Sequence, residues 1–184
     1  MSVRVLAVAG SLRAASSSAE LLRALARLAP AGVEVELYEA LGEIPIFSPD
    51  LDGEAPPRAV ADFRARLRAA DAVVLCTPEY AFGMPGLLKN ALDWLVSSGE
   101  TYEKPVAALS CAPNHGGGAN ALGWLRQTLG AVSAVVPEAA SFPIPFVRKR
   151  VANGAVTDPE LARALRGALA ALTQAVEEAR SRDV

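Results

Sequence analysis

The sequence predicts an α/β fold, a five-stranded parallel sheet between two layers of helices. Three observations point there. Short β-branched runs alternate with longer leucine patterns at helical spacing, five of each. Three of the runs, Val3 to Ala9, Ala72 to Cys76 and Val106 to Cys111, are almost wholly apolar, as in strands covered on both faces. A fourth, Val33-Glu34-Val35-Glu36-Leu37, alternates strictly and so belongs at a sheet edge.

The elements follow in order. After the first strand, Leu21, Leu25 and Leu28 repeat at helical spacing. The edge strand leads into an irregular stretch, residues 38–57, with prolines at 45, 49, 56 and 57. Val60, Phe63 and Leu67 then form a stripe, with Asp62, Arg64, Arg66 and Arg68 on the wet side. After the central strand 72–76, Pro85 suits the first turn of a helix whose inner face is Leu88, Ala91, Leu92 and Leu95. The strand 106–111 runs into a glycine-rich loop and a helix with Leu122, Leu125 and Leu129. Val132 to Val136 reads as the last strand, resuming past Pro137, and residues 141–156 read as irregular. Thr157-Asp158-Pro159-Glu160 caps the final helix, whose buried face is Leu161, Leu165, Leu169, Leu172 and Val176. With an edge-like second strand, the favoured order is 2-1-3-4-5, the flavodoxin-like arrangement, with right-handed crossovers.

The totals limit the function. A chain of 184 residues favours one domain, 1–184, large enough to bury a core without staples. A formal net charge of −2 supplies no basic field for nucleic acid. Cys76 and Cys111 end separate apolar runs and are too few for a disulfide framework, so reduced thiols and a cytoplasmic location are expected. MSVRVLAVAGS reads as a first strand rather than a signal peptide, and no apolar stretch approaches the roughly 20 residues that span a bilayer.

With this strand order, the loops after the first, third and fourth strands meet at the carboxyl end of the sheet, where such folds bind ligands. They are GSLRAASSS, TPEYAFGMPG and SCAPNHGGG. In the first, Gly10 permits a tight turn, Ser11, Ser16, Ser17 and Ser18 offer hydroxyls, and Arg13 offers a guanidinium. Helix capping accounts for one or two of these serines, Ser17 with Glu20 forming a capping box. It leaves Arg13 and the other hydroxyls over, and these with a helix N-terminus point to an anion, a phosphate above all. No Gly-Lys-Ser/Thr, GxGxxG or Cys-x5-Arg pattern occurs here. In the second loop, Tyr80 and Phe82 are either loop-packing aromatics or a surface for a flat heterocycle, and Glu79, with no second carboxylate beside it, reads as a structural brace. In the third, Ser110 and Gly116 to Gly118 allow close backbone approach, although a flexible turn explains them equally. His115, the only histidine, has neither a zinc-type ligand set nor a GxSxG elbow for company and reads as a loop or rim residue.

Together these loops resemble the NAD(P)H-dependent FMN reductases, which include chromate and quinone reductases. The family pattern G-S-x-R-x-x-S-x-N corresponds to Gly10 to Ser18, and PEYAFGMPGLLKNALDW, Pro78 to Trp94, carries the most specific part. IPIFSPDLDG, Ile44 to Gly53, resembles the loop before the second helix. The resemblance implies FMN as cofactor and NADPH or NADH as co-substrate. Ser11, Arg13, Ser16, Ser17 and Ser18 would hold the phosphate. Pro78, Glu79, Tyr80 and Ala81 would border the ring and ribityl chain, with Phe82 and Gly83 near the ring and Ser110, Gly116 and Gly117 closing the other side. The chemistry would be the flavin's, with no catalytic side chain and no metal. Hydride from the nicotinamide and then transfer to free flavin, quinone, chromate or an azo compound would give ping-pong kinetics. Homodimers or homotetramers are implied, with the Leu87 to Trp94 helix near an interface, although Trp94 reads equally as a second-layer core residue. Two departures stand out: Ser18 replaces asparagine, and Ala81-Phe82-Gly83 replaces Asn-Gly-Ser, which changes the pocket wall and with it the substrate preference. The cluster Arg148, Lys149 and Arg150 is a candidate for the second phosphate of NADPH. Alternatives are a flavodoxin-type electron carrier, disfavoured by the weak acidity, and a flavin-binding regulatory module.

Overall fold

The structure, a computed structural model, describes residues 2–182. Five parallel strands form the sheet: β1 (Val3–Ala9), β2 (Val33–Tyr38), β3 (Ala72–Thr77), β4 (Val106–Cys111) and β5 (Ser141–Ile144). Their order is β2-β1-β3-β4-β5, the flavodoxin-like order expected from the sequence. β3 and β4 are buried along their whole length, whereas β2 lies at an edge with Glu34 and Glu36 exposed.

The helices are α1 (Ser17–Arg27), α2 (Arg58–Ala69), α3 (Gly86–Asp93), α4 (Ala119–Ala131), a single turn α5 (Val147–Arg150) and the long α6 (Pro159–Arg182). Alternation along the strands sends side chains to two cores. On one face Leu6, Val8, Val73 and Leu75 meet Phe63 and Leu67 of α2, Leu88 and Leu92 of α3 and Leu125 of α4. On the other, Val5, Ala7, Val74 and Leu109 meet Leu21 and Leu25 of α1 and Leu161, Leu165 and Leu169 of α6. Trp94 is fully buried and its indole N–H donates to the Pro45 carbonyl at 2.9 Å, so it belongs to the core.

One element departs from expectation. The last strand is Ser141–Ile144, not Val132 to Val136. Val132 ends α4, Ser133 turns back at φ 55°, and Val135 makes only a single parallel bridge to Pro105. Pro137, which has no N–H to pair, is followed by a short 3-10 turn, Glu138–Ala140. Only beyond it does the chain run beside β4, Ser141 against Ala108 through Ile144 against Cys111. The stretch 141–156 is accordingly structured: after β5 come α5 and a small hairpin, β6 (Val151–Ala152) with β7 (Ala155–Val156), closed by Asn153 and Gly154 at positive φ.

Candidate functional site

The loops after β1, β3 and β4 come together at the carboxyl end of the sheet around a cavity of about 230 Å³. Gly10 leaves β1 with its N–H on the Cys76 carbonyl at 2.9 Å. A Cβ there would lie 2.9 Å from Leu88 Cδ2, so glycine lets α3 pack against the turn. Ser16 caps α1: its backbone is extended and its hydroxyl accepts from the Ala19 N–H at 3.2 Å. The cap is thus one residue before the Ser17–Glu20 box that the sequence offered. Ser16 and Ser18, both buried, share a hydrogen bond at 2.9 Å. Ser17 and Ser18 lie in the first turn, where a helix leaves N–H groups without carbonyl partners.

Ser11, Arg13, Ser16, Ser17 and Ser18 all line the cavity. Ser11 Oγ accepts from the Arg13 N–H at 3.3 Å and lies 3.4 Å from Tyr80 Oη, which links the first loop to the second. From the second loop Pro78, Glu79 and Tyr80 line the cavity. The Glu79 carboxylate turns to the start of α4, accepting from the N–H groups of Asn120 at 2.9 Å and Ala121 at 3.1 Å. It thereby caps a helix whose N-cap, Gly118, has no side chain to do so. Ala81, Phe82 and Gly83 do not line the cavity; they form the tip of a tight turn beside it.

The third loop is built differently from expectation. Ser110 is buried and its hydroxyl donates to the Gly117 carbonyl at 2.9 Å, so it ties the loop to β4 rather than facing the cavity. Gly117, at φ 61°, is hemmed in by the backbone of Ile144 and Pro145, where a Cβ would meet atoms at 2.8–2.9 Å. Gly116 is exposed and outside the cavity lining. The wall on this side is Cys111, Ala112 and Pro113. His115 stands edge-on to Phe146, ring centroids 6.0 Å apart.

The residue that sequence reasoning placed elsewhere is Arg148. It lines the same cavity, and its Nε lies 3.5 Å from Ser17 Oγ. The basic run therefore does not act as one cluster: Lys149 lies over the Phe146 ring at 5.7 Å, and Arg150 pairs with Asp158 at 2.9 Å. The signal was present as the run itself, but one helical turn sends successive side chains roughly 100° apart. The cavity thus gathers two guanidinium groups, four serine hydroxyls and a helix N-terminus, while its one lining carboxylate is turned onto α4. Beneath it Cys76 and Cys111 sulfurs lie 3.8 Å apart, and their hydrogen bond and burial push the Cys76 thiol well above its usual range. Among the described residues no group of three or more His, Cys, Asp or Glu could hold a metal ion, and no helix is long and apolar enough to cross a membrane.

Comparison with known proteins agrees with this geometry. The sequence model of the family described as NADPH-dependent FMN reductase matches residues 3–149. An NAD(P)H-dependent FMN reductase of Pseudomonas aeruginosa is 40% identical over 129 residues, 69% of each chain. A quinone reductase of Escherichia coli K12 is 32% identical over 180 residues, 95% of this chain and 96% of that one. Among solved structures, the flavoenzyme NAD(P)H:(acceptor) oxidoreductase FerB of Paracoccus denitrificans superposes with a TM-score of 0.83 at 31% identity, covering 96% of this chain and 98% of its own. The chain belongs to the NADPH-dependent FMN reductase family, and it is an oxidoreductase that works with FMN and NAD(P)H on a flavodoxin-like fold.

Proposed function

We propose that the cavity at the N-terminus of α1 holds the phosphate end of FMN, and that the chain, acting as one domain, reduces small unsaturated acceptors such as quinones. The observation that carries this reading is that Arg13 and Arg148 line one cavity with Ser17 and the first turn of α1, Arg148 Nε lying 3.5 Å from Ser17 Oγ. A phosphate dianion needs several donors and compensating charge. The two guanidinium groups supply charge, the Ser17 and Ser18 N–H groups and the serine hydroxyls supply donors, and the helix dipole adds to both. Ser18, shorter than the asparagine of the family pattern, already bonds to Ser16, so Arg148 makes good a donor the shorter side chain cannot extend. Pro78 to Tyr80 on one side and Ala112 and Pro113 on the other bound the space for the rest of the cofactor.

When bound, FMN supplies a ring that takes hydride from the nicotinamide and passes electrons to an acceptor in turn, hence ping-pong kinetics. The chain's part is to grip the phosphate and to present one face of the cleft to both substrates. Assembly into two or four copies through the α3 side belongs to the same reading.

The test is titration of the purified protein with FMN. Yellow protein with uptake at micromolar FMN is expected, bleaching with NADPH or NADH without oxygen and recovering with a quinone. Arg13→Ala and Arg148→Ala should each weaken FMN about tenfold or more, as for loss of a hydrogen bond to a charged group. Failure of the wild-type protein to take up FMN would sink the assignment, and an unaltered affinity in Arg148→Ala would remove that residue from it.

A further inference from the structure

The turn beside the cleft holds two non-glycine residues in left-handed backbone. Tyr80 and Gly83 exchange both backbone hydrogen bonds, Tyr80 N–H to the Gly83 carbonyl at 2.9 Å and the reverse at 3.0 Å. The two residues between them, Ala81 at φ 48° and Phe82 at φ 62°, are both left-handed. This is the two-residue hairpin turn that asparagine followed by glycine makes without strain. Alanine and phenylalanine make it against their Cβ sterics. The nearby glycine does not relieve them, because Gly83 comes after the left-handed pair. It lies instead against Trp124, where a Cβ would sit 3.6 Å from ring atoms Cε3 and Cζ3.

The result is a solvent-facing aromatic on a hydrogen-bonded turn. Phe82 is 75% exposed, although burial is what a phenylalanine ordinarily gains from folding. The turn is braced at both ends, by Tyr80 Oη near Ser11 Oγ at 3.4 Å and by Trp124 against Gly83. Tyr80 itself lines the cleft, so the Phe82 ring stands two residues from it on a rigid tip. Strain kept in a braced turn beside a site is a mark of use there. A flat hydrophobic ring favours planar, unsaturated partners by offset or edge contact.

We infer that Phe82 is a specificity-determining residue, held in the left-handed turn to favour flat quinonoid acceptors over compact inorganic ones. The inference rests on the FMN-site reading above, and the experiment separates the two. Phe82→Gly should relax the turn and raise Tm by about 2–4 °C. In the same variant kcat/KM for a 1,4-naphthoquinone should fall about three- to tenfold relative to that for ferricyanide, with KM carrying the change. Phe82→Tyr should keep the wild-type ratio. An unchanged ratio in Phe82→Gly would overturn the inference. So would a parallel loss with both acceptors accompanied by a smaller mass in light scattering, which would assign Phe82 to a contact between copies. If wild-type protein binds FMN while the ratio stays constant, only this inference fails; if it binds no FMN, the site assignment fails first.

Discussion

Glu79 lines the proposed anion site, yet its carboxylate is committed to the start of α4. A carboxylate lining a phosphate cavity would repel its ligand, yet here both oxygen atoms are engaged with Asn120 and Ala121 at the head of α4. The same contact fixes the second loop to the start of α4, just past the third loop. Glu79→Gln keeps the shape and removes the charge from a helix N-terminus, so it should lower stability by about 1 kcal/mol, read from urea unfolding. No change would mean that the dipole contact is neutral. That this glutamate braces a loop was legible in the sequence, because no second carboxylate accompanies it. Two other assignments were not. Ser16 and Ser17 are equally good caps by residue type, and only the extended backbone of Ser16 decides between them. Arg148 could not be separated from Lys149 and Arg150 by sequence, because their different partners, Ser17, Phe146 and Asp158, are set by the one-turn helix that follows β5.

The strands and helices differ in how plainly the chain announces them. β1, β3 and β4 are buried on both faces, so apolar runs marked them directly. The sequence pattern misplaces β5 because two candidate segments follow α4. Val132 to Val136 has the stronger β-branched pattern, whereas Ser141–Ile144 contains Pro143 and reads as a loop. Pro143 is tolerated because β5 is the outer strand, where one missing donor faces no neighbour. The error mattered for the site: the true β5 aims the chain back over β4 and so brings Arg148 to α1. For α1 the start is the critical point. Ser16→Ala removes the cap and the partner of buried Ser18 together. Loss of about 1–2 kcal/mol in stability is expected, together with weaker FMN uptake, because the first-turn N–H groups would no longer be held in register. A variant as stable as wild type would show that Ser18 or water replaces the cap.

The strand order followed from a single edge signature, Glu34 and Glu36 alternating with apolar neighbours, and it alone predicted which three loops meet. What ties the remaining long connection, residues 39–57, to the sheet was not legible, because it depends on charges far apart in sequence. Arg64 of α2, expected on the wet side, is instead buried: its Nη2 contacts Asp52 Oδ1 at 2.7 Å, while its Nε donates to the Trp94 carbonyl at 3.1 Å. Ser97 donates its hydroxyl to the other Asp52 oxygen. Hydrogen bonds from Ser97 and Arg64 outweigh burial and hold the Asp52 carboxyl below its ordinary 3.8. A carboxyl with a lowered folded pKa stabilises the fold fully above its unfolded value. That contribution is lost as pH falls below 3.8 through the lowered value, because protonation then favours the unfolded chain. Asp52→Asn lacks this titration, and it also removes the nearer of the two carboxylates beside buried Arg64, leaving Glu100 Oε2 at 4.0 Å, so it should be less stable than wild type at pH 7. The two stabilities, measured by urea unfolding at a series of pH values, should converge as pH falls below 3.8. Parallel curves through that range would mean that Asp52 titrates alike in both states, and that the Arg64 bridge does not couple this loop to the acid stability of the fold.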